Sequence, residues 1–386
     1  MTSAWRLAVQ YGLIFSATGV SLPFAGLWFR EQGLSGAEIG TLLAAPMLAR
    51  LVTGPLIAVW ADGFRRRRTP LALLGATAAL AYLAAGLADG IALWLPLWFI
   101  AATAAAAMIP LTDALTVRLA AREGFGFSMP RGVGSATFVA ANVAMGGLLV
   151  RAPADVVIVW VVVATGLSGL WSAVGAPPET VSEAATRKRD RFKGLGALVG
   201  DPAFMTAILA VGAVQASHAF LYGFSAIEWK TRGIPESVTG LLWAFSVLVE
   251  IGFMWIVEPW RRRRGVGPWL VLMLGVAAGL IRWTAYAFSP PLWALWPLQA
   301  LHALTFAATY LAGVEIINRL CPPDAQTAAQ TLNSTLSSGV LIGLATLAAG
   351  PLYDAYGAGG YLAMTAMVGL GGLAALRLRR SLAGPD

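Results

Sequence analysis

Apolar and polar residues alternate along this chain on a long period. Stretches of more than 20 mostly apolar residues are separated by short breaks rich in Gly, Pro and Arg. A helix needs about 20 such residues to cross the hydrocarbon core of a bilayer. Twelve runs reach that length: 5–29, 36–60, 70–90, 92–119, 128–150, 154–175, 201–228, 236–258, 268–288, 291–319, 325–350 and 355–377. Strands of a membrane barrel would read as alternating segments of roughly ten residues, whereas these runs are continuous. The pattern predicts an all-α membrane protein with twelve transmembrane helices. The first run is too long for a signal-peptide core and is expected to stay as the first span.

The longest polar stretch, APPETVSEAATRKRDRFKGLGALVG at 176–200, separates six runs from six. The predicted organisation is an N-terminal six-helix half over 1–175, a basic linker over 176–200 and a C-terminal half over 201–386. The halves echo each other. Gly40-x-Leu42 answers Gly240-x-Leu242, and Arg50 answers Glu250, at an offset of 200. DGFRRRR at 62–68 answers EPWRRRR at 258–264 at an offset of 196, one helical turn different. Two pseudo-symmetric six-span halves related by a parallel repeat describe the major facilitator architecture, which places its substrate near the bilayer midplane. Asp62, Arg65, Glu258 and Arg261 then mark equivalent loops as anchors or gates. The loop motif is partial, because the glycine expected four residues before Asp62 is Ala58.

Composition agrees with the pattern: 58% of residues are hydrophobic and 12% charged, against about 25% charged in a soluble domain. The net charge of +8 would suit nucleic acid, but its distribution does not. Of 27 Lys and Arg, 20 fall on one set of alternating loops and the termini, while the opposite loops carry four: Arg30, Arg151, Lys230 and Arg232. That asymmetry predicts cytoplasmic termini in a bacterial inner membrane. Cys321 is the only cysteine, which excludes an internal disulfide and suggests no metal site.

Arg50, Asp113, Arg131, Glu250 and Arg282 lie within or at the edges of apolar runs, with Glu315 near one end and His218 and His302 inside. An ionisable group deep in a span costs at least about 2.5–3.5 kcal/mol, so such groups avoid lipid. Isolated pairs could simply lock helices together, and a lone histidine on an apolar face is most often a satisfied core group. So many groups over seven spans favour a shared polar cavity instead. Gln215, His218, Tyr222, Ser225 and Trp229 share one helical face, as do Gln299, His302, Phe306, Thr309 and Gly313. Pro110, three residues before Asp113, is expected to free a carbonyl beside a cavity. Trp94, Trp98, Trp293 and Trp296 are expected in the interfacial aromatic belt.

Five stretches carry a resemblance: PLTDAL at 110–115, HAFLYGFSAIEW at 218–229, GLIRW at 279–283, LHALTF at 301–306 and AGPLYD at 349–354. Through them the chain resembles the 3-phenylpropionate permease family of the major facilitator superfamily over nearly its whole length. It also looks like a distant relative of lactose permease. That likeness implies substrate contacts for Asp113 and Arg131, and matches Glu250, Arg282 and His302 to a glutamate, an arginine and a histidine of spans 8 to 10. Two departures stand out. The usual Tyr-Gly-x-x-Arg before span 5 is FSMPR at 127–131, and the proton-carrying glutamate one turn after the span 10 histidine is Thr305.

The expected function is proton-coupled import of a small organic anion, an aromatic or other monocarboxylate such as a phenylpropionate-like acid, by a monomer with no cofactor. Guanidinium groups bind carboxylates bidentately. The expected substrate contacts are Arg50, Asp113, Arg131, His218, Tyr222, Arg282 and His302. A substrate carboxylate is expected to displace an internal one from an arginine, and the displaced group, Glu250 or else Asp113, to take the proton. The rivals are proton symport of a neutral sugar or nucleoside and proton-driven export. A membrane enzyme finds no support, since HExxH, GxSxG and Gly-rich nucleotide motifs are missing.

Overall fold

The computed structural model describes residues 1–178, 195–322 and 325–382. Most of the linker expected at 176–200, with Arg187, Lys188, Arg189, Arg191 and Lys193, lies outside the described residues. The helices are α1 (Ser3–Glu31), α2 (Gly36–Asp62), α3 (Arg68–Gly86), α4 (Ile91–Glu123), α5 (Ser128–Leu149) and α6 (Asp155–Val174). They continue with α7 (Pro202–Thr231), α8 (Glu236–Arg263), α9 (Pro268–Ala287) and α10 (Leu292–Leu320), then α11 (326–356) and α12 (Tyr361–Leu382). Among the described residues, 11 stretches are long and apolar enough to cross a membrane, and the last of them, Ala328–Arg379, is 52 residues long. The turn Gly357–Gly360 divides that stretch into α11 and α12. Gly357 opens it at φ 54° and ψ −131°, a region that side chains with a Cβ avoid. Each of the twelve apolar runs is therefore a helical span.

The chain forms two compact units: Met1–Thr186 with Gly223–Ala244, and Arg187–Tyr222 with Phe245–Asp386. In the first, α1 packs on α5 and α6, and α3 packs on α4 and α6. Close approach needs small residues: a Cβ on Gly75 would lie 2.5 Å from the Gly169 Cα. Inside, the Gln10 amide donates to Ser168 Oγ (2.9 Å) and accepts from Ser172 Oγ (3.0 Å), so this buried polar group is satisfied. Helix α4 runs without a break through Pro96 and Pro110. Trp94 and Trp98 are each only 4% exposed, packed against Trp28 and Phe29. They belong to the core and not to a lipid-facing belt, because a ring with close aromatic neighbours buries more area than one at an interface. Trp293, 74% exposed, suits the belt.

Away from the arginine loops, the first unit has two crossings made of backbone. A Cβ on Gly26 would overlap the Gly223 carbonyl, and one on Gly240 would overlap the Asn142 carbonyl. Gly146 faces Gly240 at the second crossing. On the same helices, Lys230 Nζ lies 2.9 Å from Glu31 Oε1 and 3.0 Å from Glu236 Oε1.

In the second unit, the first part of α7 packs on α10, α11 and α12, and α9 packs on α10 and α12. Helix α7 is interrupted at Ser217–His218. Three π turns occur: Phe253–Val257 in α8, Ala303–Ala308 in α10 and Leu336–Leu341 in α11. In α10 the Thr309 hydroxyl donates to the Leu304 carbonyl at 3.0 Å, bonding a carbonyl within the widened turn. Such turns often accompany functional sites.

Candidate functional site

The intramembrane groups gather separately in each unit. In the first, α5 begins at Ser128, so FSMPR starts the helix and Arg131 falls in its opening turns. Pro130 is tolerated there because the first N–H groups of a helix have no intrahelical acceptor. The Arg131 guanidinium lies over Phe15, 4.1 Å from the ring centre, and 5.8 Å from that of Tyr11. The Tyr11 hydroxyl donates to Asp113 Oδ1 at 2.5 Å. Arg131 and Asp113 are half-buried, and among the described residues neither forms an ion pair. Arg50 is exposed on α2, also without an ion pair among the described residues. Tyr11 and Phe15, which hold Asp113 and Arg131, were not singled out by the sequence: they sit in an apolar run with no polar stripe to mark them.

The second unit holds a larger cluster. Arg282 of α9 is fully buried. Its NH2 donates to Gln299 Oε1 (2.6 Å), and its NH1 to Thr305 Oγ1 (3.0 Å) and His302 Nδ1 (3.3 Å). The guanidinium rests on Trp283, 4.5 Å from the ring centre, an arrangement that suits its planar, weakly hydrated charge. Nε has no hydrogen-bond partner. Among the described residues no carboxylate pairs with Arg282.

His302 links this arginine to Glu250. An arginine only donates, so His302 Nδ1 accepts and the ring proton of a neutral His302 sits on Nε2. That nitrogen lies 3.5 Å from Glu250 Oε2. His218 Nε2 lies 3.0 Å from Thr305 Oγ1, and its Nδ1 lies 2.9 Å from the Gln215 carbonyl. The Tyr222 ring is 5.7 Å from that of His218. Thus Arg282, His302, Glu250, His218 and Tyr222 form one contiguous cluster, joined by Gln299 and by Thr305. The role of Thr305 was invisible in sequence, where it registered only as the loss of a glutamate.

Contrary to the expected displacement, among the described residues no carboxylate stands on Arg131 or Arg282 to be displaced. Arg131 lies on an aromatic ring, and Arg282 is held by an amide, a hydroxyl and an imidazole. A carboxylate paired in the membrane would itself need costly desolvation, and neutral acceptors avoid that.

Of the expected loop anchors, Asp62, Glu258 and Arg261 form ion pairs. Asp62 Oδ1 receives Arg67 NH1 at 2.6 Å, while Arg65 is exposed. Helix α2 ends at Asp62, and in the turn that follows Arg67 comes back to its carboxylate while Arg65 faces away. At the equivalent loop, Glu258 and Arg261 are each 6% exposed and share two hydrogen bonds of 2.7 and 2.8 Å. Glu315 Oε2 joins Arg261 at 3.0 Å, and its Oε1 accepts from Arg319 at 2.7 Å. Glu315 therefore belongs to this network and not to the Arg282 cluster.

The comparisons agree with this architecture. The chain is 27% identical over 359 residues to the "Probable 3-phenylpropionic acid transporter" of Escherichia coli (strain K12), covering 93% of each chain. It is 26% identical to the "Maltose permease" of Geobacillus stearothermophilus, covering 97% of this chain and 95% of that one. The crystal structure of the nucleoside transporter NupG superposes with a TM-score of 0.82 at 15% identity, over 100% of both chains. Three named substrates of different chemistry on one fold leave the choice of substrate to side chains. Residues 4–362 match the family described as "MFS_1 like family", and the chain belongs to that family: it is a multi-pass membrane transporter of the major facilitator type, not an enzyme.

Proposed function

We propose that this transporter imports a small organic monocarboxylate, aromatic in body, together with protons. The observation that carries the reading is Arg282: a fully buried guanidinium with no carboxylate partner and an unbonded Nε. A buried cation of that kind calls for an anion, and the guanidinium edge fits a carboxylate. Arg131, also free of carboxylates, is the second anchor. Asp113, Tyr222, His302 and Arg50 are proposed as further substrate contacts, with His218 behind them on Thr305. The rings of Trp283 and Tyr286 adjoin Arg282, with Tyr361 packed against both, and would suit an aryl group. The 27% identity to a probable 3-phenylpropionic acid transporter supports the same substrate class.

Coupling runs through His302. A carboxylate arriving on Arg282 places negative charge one imidazole away from Glu250. Glu250 then takes a proton, so the loaded carrier holds no second uncompensated negative charge; Asp113 is the alternative proton site. The positive-inside asymmetry supports cytoplasmic termini, and the transporter is proposed to work as a monomer in the inner membrane. The test is uptake by proteoliposomes under an imposed inward proton gradient, with 3-phenylpropionate, maltose and a nucleoside as substrates. Accumulation of the acid alone supports the proposal. Uptake of maltose or the nucleoside in its place, or extrusion of the acid, overturns it.

A further inference from the structure

We propose that Thr305, oriented by His218, is the positioning residue that aims Arg282 at the substrate carboxylate, with the interruption of α7 as its support. The proposal rests on the anion reading above. Donor counting fixes the hydrogens along the chain. The Gln215 carbonyl only accepts, so His218 carries its hydrogen on Nδ1, at 2.9 Å. The neutral ring therefore offers the Nε2 lone pair to Thr305, 3.0 Å away. Arg282 NH1 donates into Thr305 Oγ1 at 3.0 Å, which leaves the single Thr305 hydrogen for His218. The result is a directed chain: Arg282 to Thr305, Thr305 to His218, His218 to the α7 backbone.

An ordinary helical threonine gives its hydrogen to a carbonyl one turn back. For Thr305 that acceptor, Leu301 O, is available at 3.2 Å. His218 competes for the same hydrogen from a shorter distance and turns the hydroxyl toward Arg282. Thr305 and His218 are both fully buried, so no water reaches them as a substitute. The residue beside His218 supports Arg282 from another side. Ser217 Oγ accepts Trp283 Nε1 at 2.8 Å, and Trp283 is the ring on which the guanidinium rests. Both residues of the α7 interruption thus hold the seat of Arg282, one through a hydroxyl and one through an indole. With Gln299 on NH2 and Thr305 on NH1, both terminal nitrogens are pinned and the unbonded Nε is held in a fixed direction. Preorganisation of this kind favours one ligand geometry over others.

The test compares a carboxylate with its neutral amide. Counterflow in proteoliposomes is inhibited with 3-phenylpropionate and with 3-phenylpropionamide, in wild type, Thr305→Val, Thr305→Ser, His218→Gln, His218→Leu and the double variant Thr305→Val with His218→Leu. Thr305→Val should weaken the acid about tenfold and leave the amide unchanged, a loss of one charge-assisted contact's worth of aim. Thr305→Ser should restore the preference. His218→Leu should reproduce the loss, His218→Gln, which keeps an acceptor, should retain most of the preference, and the double variant should be no worse than Thr305→Val alone. Should Thr305→Val fail to fold, the contrast between His218→Leu and His218→Gln decides the matter. Equal weakening of acid and amide, an unchanged acid preference, or additive losses in the double variant overturn the proposal. A wild type indifferent to acid and amide overturns the anion reading itself, a result distinct from failure of the Thr305 chain.

Discussion

Replacing Arg282 with lysine keeps the buried positive charge and removes the fork. In the structure the guanidinium engages Gln299, Thr305 and His302 through two nitrogens and keeps Nε unbonded. A lysine ammonium at the same place reaches one of those acceptors and offers a substrate carboxylate a single hydrogen bond where the fork offers two. Hydrogen bonds to charged groups contribute about 1.5–3 kcal/mol each, and about 1.4 kcal/mol is a factor of ten. Arg282→Lys should therefore raise the KM for the carboxylate between about tenfold and about a hundredfold in counterflow assays on proteoliposomes. Charge retention should keep the protein folded, as its melting temperature will report. A folded Arg282→Lys carrier with the wild-type KM would refute the argument, because it would show that the planar fork makes no difference to the substrate.

Other outcomes follow from the same contacts. Glu250→Gln should keep substrate exchange and lose proton-driven accumulation, since the amide holds no exchangeable proton; loss or retention of both removes Glu250 from the coupling role, and Asp113→Asn in the same two assays then tests the alternative. Glu258→Ala leaves Arg261 buried without its main partner and should cost about 3 kcal/mol in thermal melts, whereas Arg262→Ala, with a side chain 65% exposed, should cost under about 1 kcal/mol; equal effects would remove the buried network as a stabilising element. Gly240→Val should destabilise by at least about 1–3 kcal/mol, because its side chain meets the Asn142 carbonyl; an unchanged melting temperature would show that this crossing yields easily.

The twelve spans were legible because a bilayer imposes one long, simple length rule on the chain. Irregularities within a span were not. The interruption at Ser217–His218 and the π turns after Glu250 and His302 fall inside long apolar runs that show no break, and tertiary packing decides them. Trp94 and Trp98 show the ambiguity of aromatics: an interfacial ring and a packed core ring read alike until neighbours such as Trp28 are known. Ionisable groups stood out because each is costly in lipid, so Arg282, His302 and Glu250 could be singled out early. Their connecting residues could not. Thr305 and Tyr11 are common residues in spans, and only three-dimensional contact gives them a role. Arg67 was one of four successive arginines, and the turn after α2 selects it over Arg65 for Asp62.

The glycine crossings of the first unit have a mechanical consequence. Where Gly26 meets the Gly223 carbonyl and Gly240 meets that of Asn142, the closest approach is to backbone and not to side chains. Surfaces that meet at backbone can part with few rotamer changes, so separation of these helix ends should meet little friction. What resists it is the charge of Lys230 on Glu31 and Glu236, whose side chains are 43%, 45% and 15% exposed. Ions in solution screen such a clasp, while packing forces are indifferent to them. The rate at which these ends part should thus be set by the salinity of the medium they face, which makes the arrangement a smooth bearing with an electrostatic brake.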